Sequence, residues 1–178
     1  MTILNIVLIV IGCLVALFLI LAAVNSKELI IEKSIVVNRP RNDVYDFLKI
    51  TKNADTYNAW NMMDPDMKKE YRGNDGTVGF VYAWDSNKKR NVGAGEQETK
   101  VLRAGEYIEH ELRFIRPMND VAKAYFHLTD AGPNQTNVSW TFDSKLKFPG
   151  TAMKGMIRGI LTKSLVSGLS NLKKELEK

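Results

Sequence analysis

T-A-M-K-G-M-I-R-G-I-L-T-K-S-L-V-S-G-L-S-N-L-K-K-E-L-E-K, residues 151–178, follows Pro149-Gly150 and contains no proline and no aromatic side chain. Met153, Met156, Ile157, Ile160, Leu161, Leu165, Leu169, Leu172 and Leu176 recur in it at spacings of three and four. That period lines them along one side of a helix, so the spacing predicts a single long amphipathic helix over 151–178. A helix with one apolar side must be covered, and the residues upstream supply the cover.

Working back from Pro149, the chain alternates rather than repeating at helical spacing. In 137–146, Val138, Trp140 and Phe142 fall on one side; 122–129 is a further strand; in 106–113, Ile108, His110 and Leu112 oppose Tyr107, Glu109 and Glu111. Residues 95–102 and 78–85 continue the series, the latter with Phe80, Tyr82 and Trp84 in alternation. Polar and glycine-bearing turns separate them, at 85–90, 103–105 and 130–135. Alternation bounded by such turns predicts antiparallel strands. Residues 69–72 add a short strand and the β-branched run 29–37 adds the first. Between these two, Pro40 followed by Val44, Phe47 and Leu48 predicts a short helix, and 53–60 a second. The order is strand, two short helices, about six strands and a long helix, which is an α+β domain over 27–178.

A sheet of six or seven strands is wide enough to curl around one helix. Its inward residues would be Phe80, Tyr82, Trp84, Leu112, Phe114, Phe126, Trp140 and Phe142, facing Met153, Met156, Ile157 and Ile160 of the helix. Such a shell is either solid or hollow. Gly155 and Gly159, four apart beside adaptable methionines, lean toward a hollow.

The other end of the chain differs in kind. Of the first 26 residues 21 are apolar and none is charged; beyond them the apolar share falls to about two fifths. As a helix, Ile3 to Val24 would be roughly 33 Å long, matching a bilayer core. Its 16 Leu, Ile, Val and Phe residues favour insertion by roughly 5–10 kcal/mol. A cleaved signal peptide would carry a basic leader and a shorter apolar run. Residues 1–26 therefore read as a single-pass membrane anchor. Lys27, Lys33, Arg39 and Arg41 follow the span and none precedes it, which favours a cytoplasmic domain.

One cysteine excludes an internal disulfide, and two histidines exclude a His-rich metal cluster. The net charge of +5 is local: the last 28 residues hold six basic and two acidic side chains. Lys88-Lys89-Arg90 adds a basic hairpin tip. No aromatic platform or reader motif accompanies this charge, so no nucleic acid is expected; a solvated helix face is the commonest reading of it, and an anionic bilayer is the partner it could attract.

The stretch Tyr57-Asn58-Ala59-Trp60-Asn61-Met62-Met63-Asp64-Pro65 resembles the tryptophan-rich segment ending in Asp-Pro of START-like SRPBCC proteins, the polyketide cyclase/dehydrase and lipid-transport-like group. The resemblance continues in Tyr71-Arg72-Gly73, Gly76-Thr77-Val78-Gly79, Tyr82-Ala83-Trp84, Val92-Gly93-Ala94-Gly95, Glu106-Tyr107-Ile108, Glu111-Leu112-Arg113-Phe114 and Thr136-Asn137-Val138-Ser139-Trp140, covering roughly 29–178. It departs at Tyr57, where tryptophan is usual, and at Ala59, where proline is common. The resemblance implies a helix-grip fold enclosing a hydrophobic cavity, and no single activity. Trp60 and His110 join the expected cavity wall.

Candidate chemistry is sparse. His110 and Tyr82 are the acid/base candidates, against a hydrogen-bonded core role for the histidine. Glu109 and Glu111 read as the wet face of a sheet. Asp64 and Asp66 around Pro65 read as turn chemistry, and no metal or cofactor is expected. The function expected is binding of a lipid or other small hydrophobic molecule beside a membrane; cyclase/dehydratase-like catalysis in the same cavity and a protein-interaction role are the alternatives.

Overall fold

The computed structural model describes residues 2–87 and 92–178. The basic stretch Lys88-Lys89-Arg90 lies outside them. The chain opens with α1 (Ile3–Val24), a helix long and apolar enough to cross a membrane, in which Ala22 is the buried residue. Three residues later β1 (Glu28–Val37) begins. α2 (Arg41–Leu48) starts directly after Pro40 and buries Val44, Tyr45 and Leu48. A 3-10 turn at Thr51–Asn53 leads into α3 (Ala54–Tyr57) and α4 (Ala59–Met63), where one short helix was expected over 53–60. Asn58 divides the two, and its side chain caps α4 by accepting from the Trp60 backbone N–H.

Six strands follow: β2 (Lys68–Arg72), β3 (Val81–Asp85), β4 (Ala94–Arg103), β5 (Tyr107–Arg116), β6 (Asp120–Gly132) and β7 (Gln135–Lys145). β3 starts at Val81 rather than at Val78, because Gly79 takes a left-handed conformation that breaks the strand before it. After a 3-10 turn at Gly150–Met153, α5 (Lys154–Leu176) closes the chain, a turn shorter at its start than the sequence period suggests.

All seven strands form one antiparallel sheet in the order β1-β7-β6-β5-β4-β3-β2, so the first strand pairs with the last. Residues facing one another across an antiparallel pair share a face. The register therefore draws rows across the inner surface. One row runs Leu29, Ser144, Ala122, Leu112, Gln97, Tyr82, Tyr71. The next runs Ile31, Phe142, Ala124, His110, Thr99. A third joins Trp140, Phe126, Ile108 and Leu102.

The main core fills the third row and beyond. Ile108, Phe126, Leu128, Val138 and Trp140 pack with Val44, Leu48 and Tyr57 and with Leu165, Leu169 and Leu172 of α5. Trp140 lies flat along Phe126, with ring centroids 4.9 Å apart, and meets α5 where residue 168 is glycine. A Cβ there would stand 2.6 Å from the indole, so no larger residue fits without displacing Trp140. The outer face is wet and ion-paired. Arg113 donates to Glu98 at 2.7 Å, Glu111 at 2.6 Å and Glu96 at 3.2 Å, and Lys123 pairs with Glu109 at 3.1 Å.

Candidate ligand-binding cavity

Between the first two rows and the middle of α5 the inner surface does not close. The cause lies in side-chain size. β6 presents Ala124 at the wall, and β4 presents Gly95, whose absent Cβ leaves room for the Trp84 ring that borders the space. The result is a cavity of about 230 Å³. Aromatic rings form much of its wall. Tyr82 stacks on Trp84 at 5.8 Å, and Trp84 meets Phe114 edge-on at 6.0 Å. Trp140 is shared between cavity and core and partitions the two.

Of the residues expected from sequence, Trp60, Tyr82, Trp84, Leu112, Phe114, Trp140 and Phe142 border this space. Phe80 and Phe126 do not: Phe80 packs with Met67, Tyr82 and Val92 in a second small core, and Phe126 is inside the main core behind Trp140. Met153, Met156 and Ile160 are exposed to the outside, and Ile157 is partly buried against the main core. The α5 wall is supplied one turn later, by Leu161, Ser164 and Leu165. Gly155 and Gly159 have open space about them and shape nothing in the cavity.

Sequence reasoning did not find Asn58, Asn61, Met67, Val92, Gln97, Arg116, Pro117, Ala124, Leu161, Ser164 or Leu165. Two signals were available. Ser164 interrupts the apolar stripe of α5 between Leu161 and Leu165, and Ala122 and Ala124 leave small side chains at alternate positions of a strand otherwise rich in large ones.

The polar groups of the wall are few and neutral except at one place. Asn61 is fixed by donating to Asp55 Oδ1 at 2.8 Å, and Asp55 is held in turn by Lys69 at 2.7 Å. The Asn61 amide also approaches the Tyr82 hydroxyl at 3.5 Å as a donor, leaving the phenolic proton of Tyr82 to give. Burial first, and the Asp55 charge second, push the Tyr82 phenol up, so it stays protonated near neutral pH. The Gln97 and Ser164 side chains have no hydrogen-bond partner among the described residues. The charged exception is Arg116, which with Pro117 is the exposed part of the wall and marks its mouth. Its guanidinium is paired with Asp85. Gly93 backs this corner: it has φ +63° and a Cβ there would lie 2.1 Å from the Arg116 carbonyl oxygen.

His110 is buried but off the cavity wall. Its Nδ1 lies 3.3 Å from the Thr99 hydroxyl, and burial pushes the imidazole down to about 4. It is neutral at pH 7 and packs as a core residue. Asp64 accepts from the Ser86 hydroxyl at 2.5 Å, and among the described residues no three His, Cys, Asp or Glu side chains gather as a metal would need.

Residues 28–177 match the family described as polyketide cyclase / dehydrase and lipid transport, and the chain belongs to it. No curated protein matches the chain. Among solved structures, norcoclaurine synthase from Thalictrum flavum, in complex with dopamine and hydroxybenzaldehyde, is similar at TM-score 0.64 and 14% identity. The match covers 87% of this chain and 90% of that one. The Zhui aromatase/cyclase from Streptomyces sp. R1128 is similar at TM-score 0.60 and 16% identity, over 84% and 94% of the two chains. At these identities the likeness establishes the helix-grip fold.

Proposed function

We propose that this family member is a membrane-tethered binding protein for a small hydrophobic molecule carrying at least one hydrogen-bonding group. The observation that carries the reading is the cavity itself: about 230 Å³, walled by aromatic rings and leucines, with the hydroxyls of Tyr82 and Ser164 and the Gln97 amide at its surface. Sites of this make-up, mostly apolar with a few placed polar groups, are what ligand pockets look like. An apolar cavity of about 150 Å³ admits benzene. The space therefore suits one or two rings, or one end of a longer chain, rather than a whole phospholipid.

The wall as described offers hydrogen-bond donors and no carboxylate, thiol or imidazole to take a proton, which favours binding over cyclase-like chemistry. α1 supplies the tether, and the basic residues that follow it favour the cytoplasmic side. The test is fluorescence titration of the full chain in detergent with 2-naphthol, a two-ring molecule with one hydroxyl. Saturable one-to-one binding with a blue-shifted emission supports the reading. Emission that rises only in proportion to detergent overturns it.

A further inference from the structure

We infer that the mouth of the cavity is seated on the bilayer, with an apolar rim around it embedded at the lipid headgroup level. This rests on α1 being a membrane anchor. Four observations carry it.

The first is reach. α1 ends at Val24 and β1 begins at Glu28, so the connection extends no more than about 14 Å. The second is docking. The Thr151 hydroxyl, itself buried, donates to the Ala22 carbonyl at 2.6 Å, so the 3-10 turn before α5 rests against the last turn of the span. A domain fixed to the span at that point has one end at the membrane surface.

The third is which end it is. The register brings the start of β1 beside the end of β7, and Leu146 N–H donates to the Lys27 carbonyl at 2.8 Å. Lys147 then reaches the Asn119 carbonyl at 3.0 Å, which places the β5–β6 turn alongside. That turn carries Pro117, and with Arg116 it forms the mouth. Anchor and mouth therefore share one end of the sheet.

The fourth is the surface there. Met118 and Phe148 are 60% and 57% exposed, and Met153, Met156 and Ile160 stand out from the start of α5. Met156 and Ile160 share one arc of α5 on the side turned away from the Leu165, Leu169 and Leu172 face that packs on the sheet, and Met153 ends the 3-10 turn just before them. Lys163 borders the arc, whereas Lys154 and Arg158 lie on the other side of the helix, and none of the three makes an ion pair among the described residues. An exposed apolar arc bordered by a basic side chain suits a segment lying in an anionic interface. With the mouth in that plane, an apolar ligand passes between bilayer and cavity without crossing water.

The test uses the full chain in vesicles of phosphatidylcholine and phosphatidylglycerol at 4:1. In a Cys13→Ser background, Met118→Cys, Phe148→Cys and Met156→Cys are each labelled with an environment-sensitive fluorophore, with Asn134→Cys at the far end as control. The natural Cys13, labelled separately, reports on the span. The expected result is quenching of the three rim labels by headgroup-level nitroxide lipid, about threefold or more beyond that at position 134. Cys13 should be quenched by lipid carrying the nitroxide deep in the chain. Rim labels that behave like position 134 while Cys13 is quenched overturn the seating and leave the anchor standing. A Cys13 label that no lipid quenches overturns the anchor and the seating with it. Rim labels that blue-shift with protein concentration but escape lipid quenching assign the rim to a second copy and also overturn the inference.

Discussion

Toward the turns at 103–106 and 130–135, Ile108, Phe126, Leu128 and Val138 are packed to the point of having almost no accessible surface. Toward the 116–119 turn, Leu112, Phe114 and Phe142 of the same strands border a void. The outside of the two ends differs as well. The far end is stitched by polar contacts: Gln135 donates to Asn38 at 2.8 Å, Thr136 to the Arg39 carbonyl at 2.7 Å, and Lys173 to the Val36 carbonyl at 2.7 Å. The near end carries the exposed apolar side chains and the apolar helix α1. One sheet thus holds a stabilising end and a receptive end, with Trp140 between them. The lesson is that a hydrophobic interior is not one property: filled, it contributes stability, and where a small residue such as Ala124 meets the wall it is left hollow.

Three experiments bear on that contrast, in falling order of expected effect. Ile108→Ala in the solid end should cost about 2–5 kcal/mol, whereas Leu161→Ala, which enlarges an existing void at a half-buried position, should cost about 1 kcal/mol. Denaturant titration of both variants checks this, and equal losses would erase the distinction.

The second uses pH. His110 titrates near 4 in the folded chain and near 6.5 unfolded. Between these values the unfolded chain binds more protons, so stability is fully present above pH 6.5 and falls as pH drops toward 4, by about 3 kcal/mol in all. The depressed carboxyls of Glu96, Glu98 and Glu109 add their own loss only below their ordinary range near 4.5. The slope between pH 6.5 and 4.5 is therefore assigned to His110, and His110→Gln should flatten it. A slope that survives the substitution would place the proton elsewhere.

The third is the mildest for the fold. Gln97→Leu removes an amide with no hydrogen-bond partner among the described residues, so stability should change by less than about 1 kcal/mol. Affinity for 2-naphthol should fall about tenfold if the amide meets the ligand hydroxyl. Lost stability with unchanged affinity would make Gln97 structural.

The strands and the long helix were legible because alternation and the three-four spacing report which residues share a face. Which turn of α5 meets the sheet was not. Met153, Met156 and Ile160 and the later Leu161, Leu165 and Leu172 form two apolar arcs that drift into one stripe on paper, and only packing separates the arc facing the sheet from the arc facing out. The inward direction of His110 followed from alternation. Its distance from the cavity did not, since that depends on which cross-strand neighbour, Ala124 or Thr99, the ring leans against. The cavity itself was written in small residues, at 124 on its wall and at 95 behind Trp84, whereas the large residues Phe80 and Phe126 are core.

The most direct test of the central claim is Ala124→Leu, which adds three carbons at the inner wall without touching the polar groups. If the hollow end is a ligand site, the full chain bearing this change keeps or gains thermal stability and binds 2-naphthol at least about tenfold more weakly than the unsubstituted chain. Unchanged affinity in a well-folded variant would show that the molecule binds elsewhere and that the void is only a packing defect.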